Sequence, residues 1–234
     1  MRYLFCHTGL GDMIIFNGLV REIIKDNIPT TIFVKHMYYD FFKEMYKDIS
    51  EQLLQSITVA NDGNDINEVA KIVVGKDSCI LTGCLGSKWP GSDPRFDETC
   101  YKQANVDYNK RWDSFKYARN IEAEMNIFKK YRVVEKNYIF VHDDPLRNFV
   151  INRNLPTNYH IVNPNINLTK NIFNYRYLIE NAAEVHCIDS CFRCMIETFD
   201  INKNLYYHQY ARHPTGKLVV WNAPASRKNW IIYI

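Results

Sequence analysis

Hydrophobic and polar positions alternate along the first part of the chain in a way that predicts strands separated by helices. Apolar, β-branched runs that predict strands occupy residues 2–7, 30–35, 56–59 and 78–82. Helical spacing of apolar residues lies between them, in a long amphipathic run through Ile24 and at residues 39–46 and 65–73. Regular alternation of strand and helix is typical of a parallel sheet covered on both faces.

A second series of the same kind begins at residue 138. It predicts strands at residues 138–142, 159–162, 184–188 and 204–207, with helices at 175–183 and 191–199. Residues 100–137 between the two series are more charged and aromatic, and Ile121, Met125 and Phe128 have the spacing of one buried helix face. The pattern therefore predicts an α/β protein with two lobes, residues 1–130 and 131–234, whose parallel sheets face a cleft between them.

The composition excludes several classes of protein. A net charge of +3 on 234 residues is too small to indicate an extended nucleic-acid surface, so nucleic acid is not an expected partner. No apolar run approaches the ~20 residues that span a bilayer, and no signal peptide precedes the first strand. We therefore expect a protein of the cytoplasm, or of the host cytoplasm if it is viral. The seven cysteines are scattered through apolar runs, which predicts buried, reduced thiols.

The first candidate site follows the first predicted strand. Gly9 and Gly11 form a turn that leads directly into a helix, and a helix start at the end of a strand is a frequent anion site in α/β proteins. Asp12 has two interpretations: it caps the helix, or it is a general base that accepts a proton from a hydroxyl nucleophile. The third glycine of a dinucleotide-binding fingerprint is missing, and Lys35 stands where an acidic residue is expected, so an NAD-dependent oxidoreductase is disfavoured.

The second candidate site lies at the end of the strand predicted at 184–188. Asp189 and Ser190 stand between this strand and the next helix. A serine hydroxyl and free backbone N–H groups at such a junction are able to grip a diphosphate, although both residue types also cap helices.

The third candidate site follows the strand that ends at His142. Asp143 and Asp144 are suitable ligands for a divalent cation, but they precede a proline and are equally typical of a turn. Arg147 is a candidate phosphate clamp because its guanidinium is a planar fork, or else a solvated surface residue. Arg212 is either a further anion ligand or part of a polar loop.

Three other features carry weaker signals. Cys191 and Cys194 have the spacing of two zinc ligands but no second pair matches them, so no metal is expected. Residues 83–94 are dense in turn formers at the end of a strand, which indicates a functional loop. Arg111 and Trp112 are expected on an exposed loop or on a surface that bridges the lobes.

Two segments together resemble a known family. The strand, Gly-Leu-Gly-Asp turn and helix at residues 3–24 resemble the N-terminal signature of the heptosyltransferase-like branch of the GT-B glycosyltransferases, the ADP-heptose:LPS heptosyltransferases. Residues 182–190 resemble that branch's later strand with an Asp-Ser turn at the donor site. The resemblance implies that Asp12 matches the general base and that Asp189 and Ser190 match the donor-phosphate turn.

The resemblance also implies an architecture and a reaction. Residues 1–130 are then a Rossmann-like acceptor lobe, and residues 131–234 a Rossmann-like lobe for the nucleotide sugar. The expected activity is an inverting, metal-independent glycosyl transfer that needs no cofactor beyond the nucleotide-sugar donor. The expected donor-binding residues are Gly9, Gly11, His142, Arg147, Asp189, Ser190 and Arg212. The alternative is a non-catalytic nucleotide- or sugar-binding module of the same fold.

Overall fold

The structure, a computed structural model, describes residues 1–61, 63–86, 95–212 and 226–234. Contacts between residues divide the chain after Ala118. The described residues up to 118 are called unit 1 below, and those from 119 onward unit 2. Each unit has one sheet, of four and five strands, and every strand pair in both sheets is parallel. The predicted α/β class with two Rossmann-like lobes is confirmed.

Unit 1 is built on a sheet with the strand order β3-β2-β1-β4. Its strands are β1 (Arg2–Phe5), β2 (Thr30–Lys35), β3 (Leu54–Val59) and β4 (Cys79–Leu81). Its helices are α1 (Leu10–Ile15), α2 (Asn17–Ile23), α3 (Tyr39–Met45), α4 (Asp65–Val73), α5 (Phe96–Gln103) and α6 (Lys110–Asp113). Phe5, Phe33, Val59 and Val69 form a buried cluster between the sheet and α4.

The first helical run is broken in two by a side chain from α5. The Tyr101 hydroxyl accepts a hydrogen bond of 3.1 Å from the Leu19 N–H and donates one of 2.9 Å to the Ile15 carbonyl. In a continuous helix these two backbone groups would bond to each other, four residues apart. A side chain inserted into that ladder breaks or kinks a helix. The single helix predicted through Ile24 is therefore two helices, α1 and α2.

Unit 2 is built on a sheet with the strand order β6-β5-β7-β8-β9. Its strands are β5 (Tyr138–His142), β6 (His160–Val162), β7 (Glu184–Cys187), β8 (Leu205–His208) and β9 (Trp230–Tyr233). Its helices are α7 (Ile121–Tyr131), α8 (Arg176–Glu180), α9 (Cys191–Ile196) and α10 (Gln209–Arg212). Ile139, Val141, Ile151 and Ile188 form a buried cluster. Strand β9 was not predicted from the sequence.

Helix α7 belongs to unit 2, since the contacts divide the chain after Ala118. An ion-pair network explains this placement: the Arg119 guanidinium donates to Glu124 on α7 and to Glu180 on α8. The helix face predicted from apolar spacing is wrong in part. Ile121 is 51% exposed, whereas Glu124 is 1% exposed because its carboxylate is paired with Arg119.

Two further expectations need correction. Arg111, expected on an exposed loop, is buried and ion-paired with buried Asp97 in unit 1. All seven cysteines are free thiols, but Cys84 is exposed rather than buried. None of the helices within the described ranges is long and apolar enough to cross a membrane.

Candidate functional site

Most of the predicted site residues meet at one edge of the sheet in unit 2. His142 is the last residue of β5, Asp189 and Ser190 follow β7, and Arg212 lies in α10 directly after β8. These three strands are neighbours in the parallel sheet. The carboxyl ends of parallel strands share one edge, and this is the edge where open α/β sheets bind ligands.

His142 and Ser190 are bonded to each other. The Ser190 Oγ lies 3.1 Å from His142 Nδ1. Ser190 precedes α9, yet its side chain does not cap that helix. Burial lowers the pKa of His142 to about 4, so its ring is neutral at pH 7, and it packs against Phe192 with the ring centroids 4.3 Å apart. When the neutral ring carries its proton on Nδ1, the imidazole donates to Ser190 and leaves the hydroxyl proton for another acceptor.

Asp189 is surrounded by cationic side chains. Its carboxylate accepts a hydrogen bond of 3.5 Å from Arg193, and Nη1 of Arg212 lies 3.9 Å from its Oδ2. The same guanidinium donates to the Asp189 backbone carbonyl. A carboxylate repels a diphosphate, so the geometry suits Asp189 for holding arginines in place rather than for contacting the anion itself.

Two of the predicted cationic residues lie over the same aromatic ring. The guanidinium carbons of Arg147 and Arg212 lie 5.4 Å and 5.6 Å from the centroid of Phe149. Arg147 also donates from Nε to Asp144 at 2.5 Å and keeps 60% of its side chain exposed. Sequence reasoning missed Phe149. The sequence feature that points to it is the turn before it, which is closed by an antiparallel bridge between residues 144 and 149.

The paired carboxylates of the third candidate site form a turn. Asp143 accepts a hydrogen bond of 3.1 Å from the Ile151 N–H, and Asp144 accepts one of 3.2 Å from the Arg147 N–H. The turn interpretation is therefore the one that the structure supports. In the parts of the chain that the structure describes, no group of three His, Cys, Asp or Glu side chains has the geometry to hold a metal ion.

A buried tyrosine beside the Asp189 cluster also escaped the sequence analysis. Tyr207 on β8 is 3% exposed, and within the described residues its hydroxyl has no hydrogen-bond partner. Burial raises its pKa to about 12, with Asp189 adding to the shift. The guanidinium of Arg193 stacks 4.6 Å from its ring. A tyrosine in a strand-forming run gives no signal by itself, because core positions have the same pattern.

The remaining predicted site residues, Gly9, Gly11 and Asp12, lie in unit 1. Gly9 precedes α1, and Gly11 and Asp12 are the second and third residues of that helix. Oδ2 of Asp12 accepts a hydrogen bond of 3.2 Å from the Gly9 N–H. A Cβ at residue 9 would lie 2.6 Å from that oxygen, so the absent side chain of Gly9 leaves room for the carboxylate to fold back. Asp12 thus contributes to capping α1.

A strained histidine lies two residues after the end of β1, next to this turn. His7 has a positive φ of 63°, and its Nε2 accepts a hydrogen bond of 3.3 Å from the Cys84 N–H. Burial lowers its pKa to about 4. Strain in non-glycine residues concentrates at functional sites. Of the loop expected at residues 83–94, positions 87–94 lie outside the described residues.

A surface cavity of about 500 Å³ lies elsewhere in unit 1, between α3 and the edge strand β3. Its lining includes Tyr39, Phe42 and Lys43 from the helix and Leu54 and Gln55 from the strand. None of the predicted site residues lines it.

The comparisons with known proteins agree with the two-lobed architecture. No family model and no curated protein matches the sequence. Among solved structures, the ADP-heptose LPS heptosyltransferase II of E. coli matches with a TM-score of 0.55 and 9% identity over 100% of this chain and 90% of that one. The chain has a heptosyltransferase-like GT-B fold. A glycosyl transferase family 9 protein from Veillonella parvula DSM 2008 matches with a TM-score of 0.54 and 10% identity, over 99% of this chain and 85% of its own.

Proposed function

We propose that this protein transfers a sugar from a nucleotide-sugar donor to an acceptor hydroxyl. The observation that carries the proposal is the cluster at the carboxyl edge of the unit 2 sheet, where Arg147 and Arg212 lie over Phe149 and Arg212 bonds to Asp189, the residue before Ser190. Two guanidinium forks and a hydroxyl are suitable ligands for a diphosphate. The shared fold with glycosyltransferases of known structure supports the same reaction class.

In this proposal unit 2 binds the donor and stabilises the leaving group. When the bond between the anomeric carbon and the diphosphate breaks, negative charge grows on the diphosphate oxygens. Arg147 and Arg212 are positioned to stabilise that charge electrostatically, so no metal ion is required. The neutral His142 ring holds Ser190 in the orientation that offers its hydroxyl proton to a phosphate oxygen.

In this proposal Asp12 of unit 1 is the general base. The acceptor hydroxyl gives its proton to the Asp12 carboxylate, and its oxygen forms the new bond to the anomeric carbon as the bond to the diphosphate breaks. A single displacement of this kind inverts the configuration at that carbon.

A second candidate is a non-catalytic nucleotide- or sugar-binding module. The contact that favours it is the hydrogen bond from the Gly9 N–H to Oδ2 of Asp12, because a carboxylate that serves as a cap does not need to be a base.

Incubation of the purified protein with a panel of nucleotide sugars, followed by mass spectrometry, tests the activity without knowledge of the acceptor. A glycosyltransferase is expected to hydrolyse its own donor slowly and to leave the others intact. Calorimetry with the corresponding nucleoside diphosphates tests binding. Binding of a nucleoside diphosphate with no turnover of any donor favours the module, and absence of binding to every nucleoside diphosphate contradicts the donor site in unit 2.

Asp12→Asn separates the enzyme from the module. Asparagine keeps the size and a capping oxygen but loses the proton acceptor, so turnover of the donor is expected to fall roughly 10²- to 10⁴-fold at an unchanged melting temperature. Equal turnover in the variant and the wild type would show that Asp12 is only a cap.

Ser190→Leu tests the donor site in unit 2. The larger apolar side chain removes the hydroxyl and fills its place, so the affinity for the nucleoside diphosphate is expected to fall about 10-fold, as for one charge-assisted hydrogen bond. Ser78→Leu, at an exposed position in unit 1, is the matched control. Calorimetry that finds the same affinity in both variants would remove Ser190 from the site.

A further inference from the structure

Two buried histidines are bonded to each other in the middle of the unit 2 sheet. His186 on β7 is 1% exposed and His208, the last residue of β8, is 0% exposed. Nδ1 of His186 lies 2.9 Å from Nε2 of His208. Neither residue belongs to the donor cluster described above.

Both ends of this pair continue into further hydrogen bonds. Nε2 of His186 lies 3.1 Å from Oε2 of Glu184. At the other end, Nδ1 of His208 lies 3.2 Å from the hydroxyl of Tyr210 on α10. That hydroxyl lies within 3.3 Å of the Arg153 N–H and 3.0 Å of the Arg153 carbonyl. We call Glu184, His186, His208 and Tyr210 the relay.

The carboxylate at one end fixes the direction of every bond in the relay. Because ionised Glu184 only accepts, His186 carries its proton on Nε2 and accepts at Nδ1. His208 then donates from Nε2 and accepts at Nδ1, where the Tyr210 hydroxyl donates. The Tyr210 oxygen in turn accepts from the Arg153 N–H. Both imidazoles are neutral in this arrangement, and all four of their ring nitrogens have a partner.

Within the described residues, the relay packs against two tyrosine rings and one arginine. Tyr206 of β8 stacks on His186 with the ring centroids 4.5 Å apart, and its hydroxyl lies 3.4 Å from Oε1 of Glu184. Tyr233 of β9 lies 5.0 Å from His208, centroid to centroid. Arg153 is the cation, and its guanidinium stacks 4.2 Å from the Tyr210 ring. This environment favours uncharged rings, and burial lowers the pKa of each histidine to about 4.

We propose that the relay holds α10 against the sheet and thereby positions Arg212 for the anionic part of the donor. Tyr210 and Arg212 are two residues apart on that one short helix, and Arg212 donates to the Asp189 carbonyl. His208 and Tyr210 are therefore positioning residues, which act through Arg212. This inference rests on the proposed function, since it assigns a ligand to Arg212.

Uptake of one proton reverses the relay without leaving any group unpaired. The Nε2 proton of His208 passes to Nδ1 of His186, which becomes cationic and donates from both nitrogens. The added proton, passed on through the Tyr210 hydroxyl, occupies Nδ1 of His208, so that this ring accepts at Nε2 and donates to Tyr210. The Tyr210 hydroxyl turns to the Arg153 carbonyl, 3.0 Å away. Acid thus reverses the direction of the hydrogen bond between His208 and Tyr210 and leaves α10 tied to β8.

Tyr210→Phe tests the relay by removal of one hydroxyl. The affinity for the nucleoside diphosphate that the wild type binds best is expected to fall about 3- to 10-fold, the effect of one hydrogen bond. Backbone amides 209–212 are expected to exchange faster. Tyr177→Phe is the matched control, since its hydroxyl bonds to an exposed carboxylate on Glu135. The control is expected to change neither quantity.

Nitrogen NMR of the imidazoles gives a readout that a merely structural role would not move. Both His186 and His208 are expected to be neutral with the proton on Nε2 at pH 7, and addition of the nucleotide is expected to shift their signals but not that of exposed His160. An Nδ1–H form of either ring, or equal affinity and exchange in Tyr210→Phe and Tyr177→Phe, would overturn the proposal. A wild type that binds no nucleoside diphosphate would instead contradict the proposed function, and exchange at 209–212 would still decide whether the relay holds α10.

Discussion

At the scale of single residues, Gly83 and His7 depend on each other. Gly83 has a φ of 62°, and a Cβ at this position would lie 1.8 Å from Nε2 of His7. The ring of His7 has little room to move, because it packs edge-on against Phe96 with the centroids 4.6 Å apart. Glycine at position 83 therefore serves both a left-handed backbone and the space for an imidazole.

Gly83→Ala is expected to cost about 2 to 4 kcal/mol of unfolding free energy, from backbone strain of roughly 1 kcal/mol plus the displaced ring. Gly75→Ala is the matched control, because Gly75 has a φ of 71° but its added Cβ meets nothing within 4 Å. The control is expected to cost about 1 kcal/mol, from strain alone. Urea unfolding of both variants measures the difference. Equal losses of unfolding free energy would show that the His7 ring moves aside at no cost.

The sequence predicted where the site residues lie in the fold better than it predicted which residues they contact. His142 and Ser190 meet as expected because both stand at the ends of parallel strands, a property that hydrophobic patterning shows. Phe149 and Tyr207 were missed because each of them stacks with an arginine that is distant in sequence, Arg212 and Arg193 respectively. Asp12 stays a prediction as the general base, since its contact with Gly9 is compatible with a cap as well.

At the scale of elements, the break between α1 and α2 is stabilised from outside those helices. Tyr101→Phe removes the hydroxyl that bonds both Ile15 and Leu19. We expect a loss of about 1 to 3 kcal/mol, the cost of leaving buried polar groups unpaired. Tyr39→Phe, at an exposed position on α3, is expected to leave stability unchanged. Thermal unfolding of the two variants checks the expectation. An equal Tm would mean that, in Tyr101→Phe, the Leu19 N–H and the Ile15 carbonyl bond to each other instead.

A single side chain, that of Lys203, also caps the C-terminal end of α8. Its Nζ donates to the carbonyls of Ile179, Glu180 and Ala182 at 3.0, 2.7 and 2.6 Å. Lys203→Met keeps the length of the side chain but removes all three bonds, and a loss of roughly 2 kcal/mol is expected because the orphan carbonyls lose their partner. Lys170→Met, at an exposed site, serves as the control in chemical unfolding. Similar stability of the two variants would show that water replaces the cap.

Elements buried on both sides were predictable, and those fixed by distant polar contacts were not. Strands such as β2 and β5 are apolar runs of a length that only a strand fits. The buried face of α7 was wrong because Glu124 is paired with an arginine that apolar spacing does not reveal. Strand β9 pairs with β8 across more than twenty residues, and four aromatic and aliphatic residues alone do not indicate that partner.

At the scale of the whole molecule, buried neutral histidines couple stability to pH. Burial lowers the pKa of His7, His142, His186 and His208 to about 4 each. The unfolded chain takes up these protons as the pH falls through about 6.5, whereas the folded chain does so only near 4. Stability is therefore fully present above pH 6.5 and is lost between pH 6.5 and 4.

Three of these four histidines lie in unit 2, so acid is expected to loosen that unit first. Unfolding free energies measured in urea at pH 7.0, 5.5 and 4.5 are expected to fall by roughly 1 kcal/mol or more per pH unit. Hydrogen exchange read separately over the two units gives the order. His160→Leu, at an exposed edge position, is expected to keep the same slope. A slope near zero, or earlier loss of unit 1, would contradict the assignment.

The position of β9 also bears on how the protein is made. All four strands of unit 1 are able to pair once residue 81 has left the ribosome. The sheet of unit 2 lacks its edge strand β9 until residues 230–233 have also left it. Until then β8 is an open edge, and open edges pair readily with other chains. Nascent domains with such edges are prone to aggregate. We expect chaperones that bind nascent chains to protect unit 2 for longer than unit 1.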